Sequence, residues 1–235
     1  MNKGRFREFY QCDFDIAGQY SLMLPDAEVL KVVVEILAKL QIGAFKIKVN
    51  HRKFLDAIIE LAGIEKRKFK TICSSIDKLD KEPWEKVRYE LTSTKGLSEQ
   101  QADALGKYVE FKGEPWSLLN ELKEKEVFAN HPSGKETIKE MELLFNLLEE
   151  MEVLDSIVFD FSLARGLDYY TGLIYEGILL DEGKMGSIAG GGRYDELIGM
   201  FSGTSIPAIG VSIGIERVFA ILEQQSKGDP TIRQN

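Results

Sequence analysis

Period-two alternation of apolar and polar residues occurs at both ends of this chain and is missing from its middle, and that division limits the possible folds more than any other feature. From 5 to 16 the side chains sort onto two faces: Phe6, Glu8, Tyr10, Cys12, Phe14 and Ile16 on one, Arg5, Arg7, Phe9, Gln11, Asp13 and Asp15 on the other. Consecutive strand residues must divide in this way. Residues 45–49 alternate apolar side chains with lysine, the same period returns at 156–162, where Ile157, Phe159 and Phe161 share a face, and 173–180 follows as an apolar, strand-like run. Between about 65 and 152 the apolar residues fall at helical spacing, among crowded charges and breakers at Pro83, Gly96, Gly113, Pro115 and Pro132. The pattern predicts an α/β or α+β chain, α+β being the class preferred, in which 1–64 and 153–235 build one layer rich in antiparallel strands and 65–152 is set into it as a small helical domain.

Helical stripes and breakers refine this outline. Val29, Leu30, Val33, Ile36, Leu37 and Leu40 form one stripe, with Asp26 as its cap and Gly43 after its end. Residues 52–62 return to helix with Phe54, Leu55, Ile58 and Ile59. In the middle, Ser98 with Gln101 and Ser133 with Glu136 read as capping boxes, and the last helix runs towards Met151. Residues 186–189 return from a turn at 181–184 to pair with 173–180 as a hairpin. Residues 207–219 read as a strand, then glycines at 210 and 214, then a helix bearing Glu216 and Arg217.

Composition excludes several classes of function. With 235 residues and 44% hydrophobic content the chain can bury a substantial core, and no apolar run reaches the roughly 18 residues of a membrane span. The N-terminus reads as neither signal nor transit peptide, so a cytoplasmic setting is expected. Cys12 and Cys73 lack CxxC partners and only His51 and His131 are present, so no metal site is expected. A net charge of -8 argues against coating nucleic acid over the whole surface. Local contact remains open at Lys3, Arg5 and Arg7, and at Lys66, Arg67, Lys68 and Lys70, although a solvated helix face is the preferred reading of the second cluster.

Four segments carry candidate chemistry. LARGLDYYTGLIYE, 163–176, sets a cation directly before Gly166 and a carboxylate and two phenols between Gly166 and Gly172. Arg165 can fork onto phosphate or carboxylate oxygens, and Tyr169 and Tyr170 offer flat walls tipped with hydroxyls; the plain alternative is a corner of amphipathic core. On the polar face of 5–16, Phe9 between Arg7 and Gln11 suits stacking on a base, while Gln11 and the carboxylates suit an ammonium group. In AGGGRYDELIGMF the three glycines either expose N–H groups to phosphate or allow close packing. A dinucleotide fingerprint fails there because its third glycine falls on Asp195, and no GxxxxGK[ST] stretch exists. Arg217, in the first turns of a helix after Gly214, lies over a polyanion or else faces solvent.

Taken together, these segments resemble the catalytic domain of eukaryotic-type histidyl-tRNA synthetases over nearly the whole chain. GRFREFYQCDFDIAG is similar to the second half of the family's motif 2, LARGLDYYTG to its histidine-specific signature, and GGGRYDELIGMF with GVSIGIER to its closing strand and motif 3. KVNHRKFLDAI matches the family as well. The resemblance implies a class II synthetase fold, an antiparallel sheet flanked by helices with a helical insertion domain near the tRNA acceptor end. It implies activation of histidine with ATP, accompanied by Mg2+, and transfer to the terminal adenosine of tRNA(His). It implies Gln11 and Asp15 on the substrate ammonium, Phe9 on adenine, Tyr169 and Tyr170 around the imidazole, Arg165 on the α-phosphate, and Arg217 beside Gly214 on the ATP tail. Arg5 and Arg7 become candidate contacts to the tRNA acceptor.

By the same resemblance, motif 1, the first half of motif 2 with its arginine and acidic residue, and the anticodon-binding domain lie outside 1–235. The chain by itself is therefore expected to be impaired, and the protein of origin to be a homodimeric ligase. Two rival readings differ in class: a non-catalytic paralogue that senses histidine or uncharged tRNA, and a helical interaction module centred on 65–152. Retention of both Arg165 and Arg217 favours the enzyme.

Overall fold

The two ends of the chain meet in one sheet. The computed structural model describes residues 8–165, 169–180 and 186–228. In chain order, β1 (Gln11–Ala17), α1 (Leu24–Leu40), β2 (Phe45–His51) and α2 (Arg52–Leu61) come first. Then α3 (Phe69–Ile76), α4 (Trp84–Ser93), α5 (Glu99–Val109), β3 (Lys112–Gly113), α6 (Pro115–Glu124) and α7 (Pro132–Glu150) follow. The chain ends with β4 (Ile157–Asp160), β5 (Leu173–Leu179), β6 (Ser187–Arg193), α8 (Gly199–Ser202), β7 (Ala208–Gly214) and α9 (Ile215–Gly228). The seven strands lie in the order β1-β7-β6-β5-β2-β4-β3.

Every neighbouring pair is antiparallel except β2 with β4, so the sheet is mixed. The exception has a simple cause: the chain leaves the sheet at the end of β2, runs through α2 to α7, and re-enters beside the strand it left. Adjacent strands joined by such a crossover point the same way. The class II synthetase-like arrangement of a sheet flanked by helices stands.

Several local expectations are corrected. Strand β1 begins at Gln11, Phe9 precedes it, and Arg5 and Arg7 lie outside the described residues. The three glycines form no loop, because Gly190, Gly191 and Gly192 sit inside β6 with their backbones paired to β5 and β7. Asp26 does not cap α1, whose N-cap is Met23 in a left-handed conformation. The carboxylate is buried and bound instead to the guanidinium of Arg193, whose Nε lies 3.0 Å from Oδ1. Ser133 and Glu136 do not box α7 either. Pro132 takes the first helical position, where no N–H is needed, and His131 Nδ1 accepts from Gly134 N–H at 3.1 Å. The Ser98–Gln101 box is present as expected.

The core runs without a break from the sheet into 65–152. Phe54 of α2 stands 4.9 Å from Phe128 and 5.1 Å from Phe161, and Phe145 of α7 stands 5.5 Å from Phe159 of β4. Rings of this size each remove roughly 150–250 Å² from water, enough to dominate a local core. An ion cluster fastens the same helices. His51 caps α2 by accepting Lys53 N–H at Nδ1, which leaves Nε2 to face Glu140 Oε2 of α7 at 3.1 Å, while Lys53 Nζ reaches Glu140 Oε1 at 2.8 Å.

Burial pushes the Glu140 pKa upward, but the bonds and charges of His51 and Lys53 outweigh it and hold the carboxyl at about 2, below its ordinary 4.5. Burial also lowers His51 from 6.5 in spite of Glu140. Both shifts make the unfolded chain the better proton acceptor, so stability is lost as pH falls, first below about 6.5 through His51 and then from about 4.5 to about 2 through Glu140. Urea melts across this range should show Glu140→Gln flattening the acid limb and costing on the order of 2 kcal/mol at neutral pH. The glycines of β6 should separate in the same assay. A Cβ at Gly191 would lie 2.0 Å from the Gly210 carbonyl oxygen, whereas one at Gly190 would meet nothing nearer than 3.7 Å. Gly191→Ala is expected to cost about 3 kcal/mol or more, and Gly190→Ala less than about 1 kcal/mol.

Candidate active site

Residues paired across neighbouring strands share a face, so the register itself draws the site. One row reads Lys48, Glu176, Gly190, Ser212 and Asp13 from β2 to β1, and the next reads Asn50, Ile174, Gly192, Gly210 and Asp15. The opposite face carries Tyr175, Gly177, Ala189, Gly191 and Ile213, and there a Cβ on Gly177 would lie 3.3 Å from Leu37 of α1. One face is thus polar and the other is core. Gly177 pairs with Ala189 but Ile178 pairs with Ser187, so Ile188 is an extra residue. That bulge reverses the alternation and puts Ser187 on the polar face with Glu176.

Arg165 and Arg217 converge on Ser187. Arg165 Nη1 donates to the buried carboxylate of Glu176 and to Ser187 Oγ at 2.6 Å, and Arg217 Nη1 donates to the Ser187 carbonyl, with Oγ at 3.4 Å. The loop that delivers Arg165 is fixed by Asn50, whose Nδ2 donates to the carbonyls of Phe161 at 3.3 Å and Leu163 at 2.9 Å. Asp160 Oδ1 also accepts the Ser162 N–H at 3.0 Å. Arg217 comes from the first turn of α9, directly after β7.

A second group forms around the phenols. Tyr169 and Tyr170 have ring centroids 4.8 Å apart, Tyr194 lies 6.0 Å from Tyr169, and the Tyr194 hydroxyl donates to Asp15. Glycines make the room: a Cβ on Gly192 would lie 2.9 Å from the Tyr170 ring, and one on Gly210 would collide with the Asp15 carboxylate. Burial, with the neighbouring Tyr169, pushes the Tyr170 pKa up, and burial together with the Asp15 bond does the same to Tyr194. Both phenols therefore keep their protons at neutral pH and can donate. Gln11 pairs with Gly214, on the arginine side of the face. Phe9 precedes β1 with 54% of its surface exposed, beside the Tyr10 N–H that donates to Glu216 at 2.6 Å.

Between α3 and this face lies a cavity of about 440 Å³, lined by Arg52, Lys70, Cys73, Asp77, Arg165 and Tyr170 among others. Arg52 stacks 3.7 Å over Phe69. Asp80 pairs with Lys48, which also lies 3.6 Å from Asp160, so the turn after α3 is tied to the sheet. Burial raises the Asp77 pKa, with Arg165 pulling against it.

Glu176, Ser187 and Tyr194 are the residues that sequence reasoning missed. Glu176 left one signal, a charge in the middle of an otherwise apolar strand, LIYEGIL. Ser187 left none, since only the bulge turns it to this face. Among the described residues no group of three or more His, Cys, Asp or Glu stands together as a metal cage.

Known proteins resemble this chain in both sequence and fold. The profile of the Histidyl-tRNA synthetase family matches residues 1–218. The cytoplasmic histidine-tRNA ligase of Oryza sativa subsp. japonica is 54% identical over 99% of this chain and 30% of its own length, and that of Dictyostelium discoideum 52% over 100% and 49%. The mitochondrial histidine-tRNA ligase of Homo sapiens is 48% identical over 96% of the chain and 46% of its own length. The chain therefore spans about half, or less, of these relatives. Among solved structures, the histidyl-tRNA synthetase of Nostoc sp. PCC 7120 superposes with a TM-score of 0.85 at 32% identity, covering 94% of this chain and 52% of that one. With 48–54% identity to these relatives along almost its entire length, and a profile match over 1–218, the chain belongs to the histidyl-tRNA synthetase family.

Proposed function

We propose that this chain carries the histidine-activating site of a histidine-tRNA ligase, joining histidine to ATP as histidyl-adenylate and passing it to the terminal adenosine of tRNA(His). The observation that supports this most is the placement of two guanidinium groups around Ser187 on the same sheet face as the Asp15–Tyr194–Tyr169–Tyr170 group.

In this reading the imidazole lies among Tyr169 and Tyr170, where the phenol hydroxyls discriminate by hydrogen bonding. A pocket built for polar ring atoms rejects an analogue that lacks them, because its own groups are then left unpaired. Asp15, aided by Gln11, takes the ammonium group and leaves the carboxylate pointing along the face towards Arg165. Attack of that carboxylate on the α-phosphate brings two anions together and spreads charge over phosphoryl oxygens, which Arg165 neutralises from a preorganised position. Arg217, with Gly214 leaving space beside it, holds the ATP tail, and Phe9 covers the adenine. Magnesium carried by the nucleotide would supply further charge neutralisation. Arg5 and Arg7 are assigned to the tRNA acceptor end.

Residues 65–152 are read as an insertion domain in a catalytic domain formed by 1–64 and 153–235, a division supported by the adjacency of β2 and β4. A cytoplasmic location follows the names of the plant and Dictyostelium relatives. The assembly is read as a homodimer.

Calorimetry with histidine and with a non-hydrolysable histidyl-adenylate analogue tests the assignment. Arg165→Ala should leave histidine affinity within about twofold and weaken the analogue by about 10- to 100-fold, the range of one lost charge-assisted contact. Unchanged analogue affinity in that variant would refute the role of Arg165.

A further inference from the structure

The residues around the two arginines pose a question that phosphate binding alone does not answer. Glu176 is 2% exposed in the centre of β5, and one of its carboxylate oxygens is buried with no hydrogen-bond partner among the described residues. A half-satisfied buried carboxylate is costly, and an apolar residue would pack the strand better. Its other oxygen is bound to Arg165 Nη1. The hydroxyl of Ser187 receives the same nitrogen at 2.6 Å and Arg217 Nη1 at 3.4 Å. Ser187 reaches this place only because Ile188 is bulged out of register.

We propose that Glu176 and Ser187 are positioning residues that yoke Arg165 and Arg217 into a single anion clamp. The inference rests on the proposed function, since it concerns how that site is held. Two guanidinium groups sharing one hydroxyl repel each other, and the buried carboxylate offsets that repulsion while its rigid strand fixes the direction of Arg165. Among the described residues both bonds of Arg165 use Nη1, which leaves Nε and Nη2 for phosphoryl oxygens on its open side, where the side chain is 41% exposed. A guanidinium locked at one edge gives up little rotamer freedom when the ligand arrives.

A carboxylate that served only as a counter-ion would behave in the opposite way, because removing it would raise the local positive potential and tighten anion binding. The two roles are separable by calorimetry on the full chain, with histidine and the histidyl-adenylate analogue as probes and thermal unfolding as the check on folding. Positioning predicts a graded series: Glu176→Gln, which keeps an acceptor, weakens the analogue about threefold, Glu176→Ala about tenfold or more, and Ser187→Ala about threefold, with histidine affinity unchanged in each. Combining Glu176→Ala with Arg165→Ala should add nothing to Arg165→Ala alone, because both remove the same contact. If Glu176→Ala fails to fold, Glu176→Gln and Ser187→Ala carry the test. Equal or tighter analogue binding in folded Glu176→Gln and Ser187→Ala overturns the proposal and leaves the functional reading standing. A parent chain that binds histidine but not the analogue overturns both.

Discussion

The pairing register of β5, β6 and β7 is the constraint on which the rest of the site depends. Side chains alternate strictly along a strand, so a slip of one residue would send Glu176, Ser212 and Asp15 into the core and bring Tyr175 and Val211 to the polar face. Burial of the core face prevents that slip. The single extra residue at Ile188 is then free to do something local, and it turns Ser187 to meet the two arginines. Glycine has the complementary task in β6 and β7: Gly192 and Gly210 carry no side chain where Tyr170 and Asp15 lie flat on the sheet. A strand made of ordinary residues would have the same hydrogen bonds and no room for a ligand.

The helices of 65–152 are fastened to the sheet by two polar joints as well as by phenylalanines. On the core side, Glu140 is gripped by His51 and Lys53; on the ligand side, Asp80 holds Lys48. Breaking one partner of such a buried pair leaves an uncompensated charge, so these joints specify how α3 and α7 sit more than they add net stability. The consequence reaches the site directly, because α3 forms one wall of the cavity that Arg165 and Tyr170 line on the other.

Much of the architecture was legible because periodicity is local. Alternation marked β2 and β4, an apolar run marked β5, the stripe at Val29 to Leu40 marked α1, and Ser98 with Gln101 marked the start of α5. Expectations failed where a residue had a more favourable distant partner than its local one. Asp26 looks like a helix cap until Arg193, far along the chain, claims it, and GGG looks like a phosphate loop until β5 and β7 pair on both sides of it. Local propensity is a weak prior against tertiary contacts of that kind.

The sequence by itself determined the residue types of the candidate site, Arg165, Tyr169, Tyr170, Arg217 and Asp15, and through the segments that hold them the family, because those types sit within short stretches whose spacing can be read directly. Only the tertiary structure decided that Arg165 and Arg217 meet at Ser187, that Tyr194 links Asp15 to the tyrosine pair, and that a buried Glu176 stands behind the cations. These are contacts between strands distant in the chain. They depend on register and on one bulge, which no local pattern of side chains encodes.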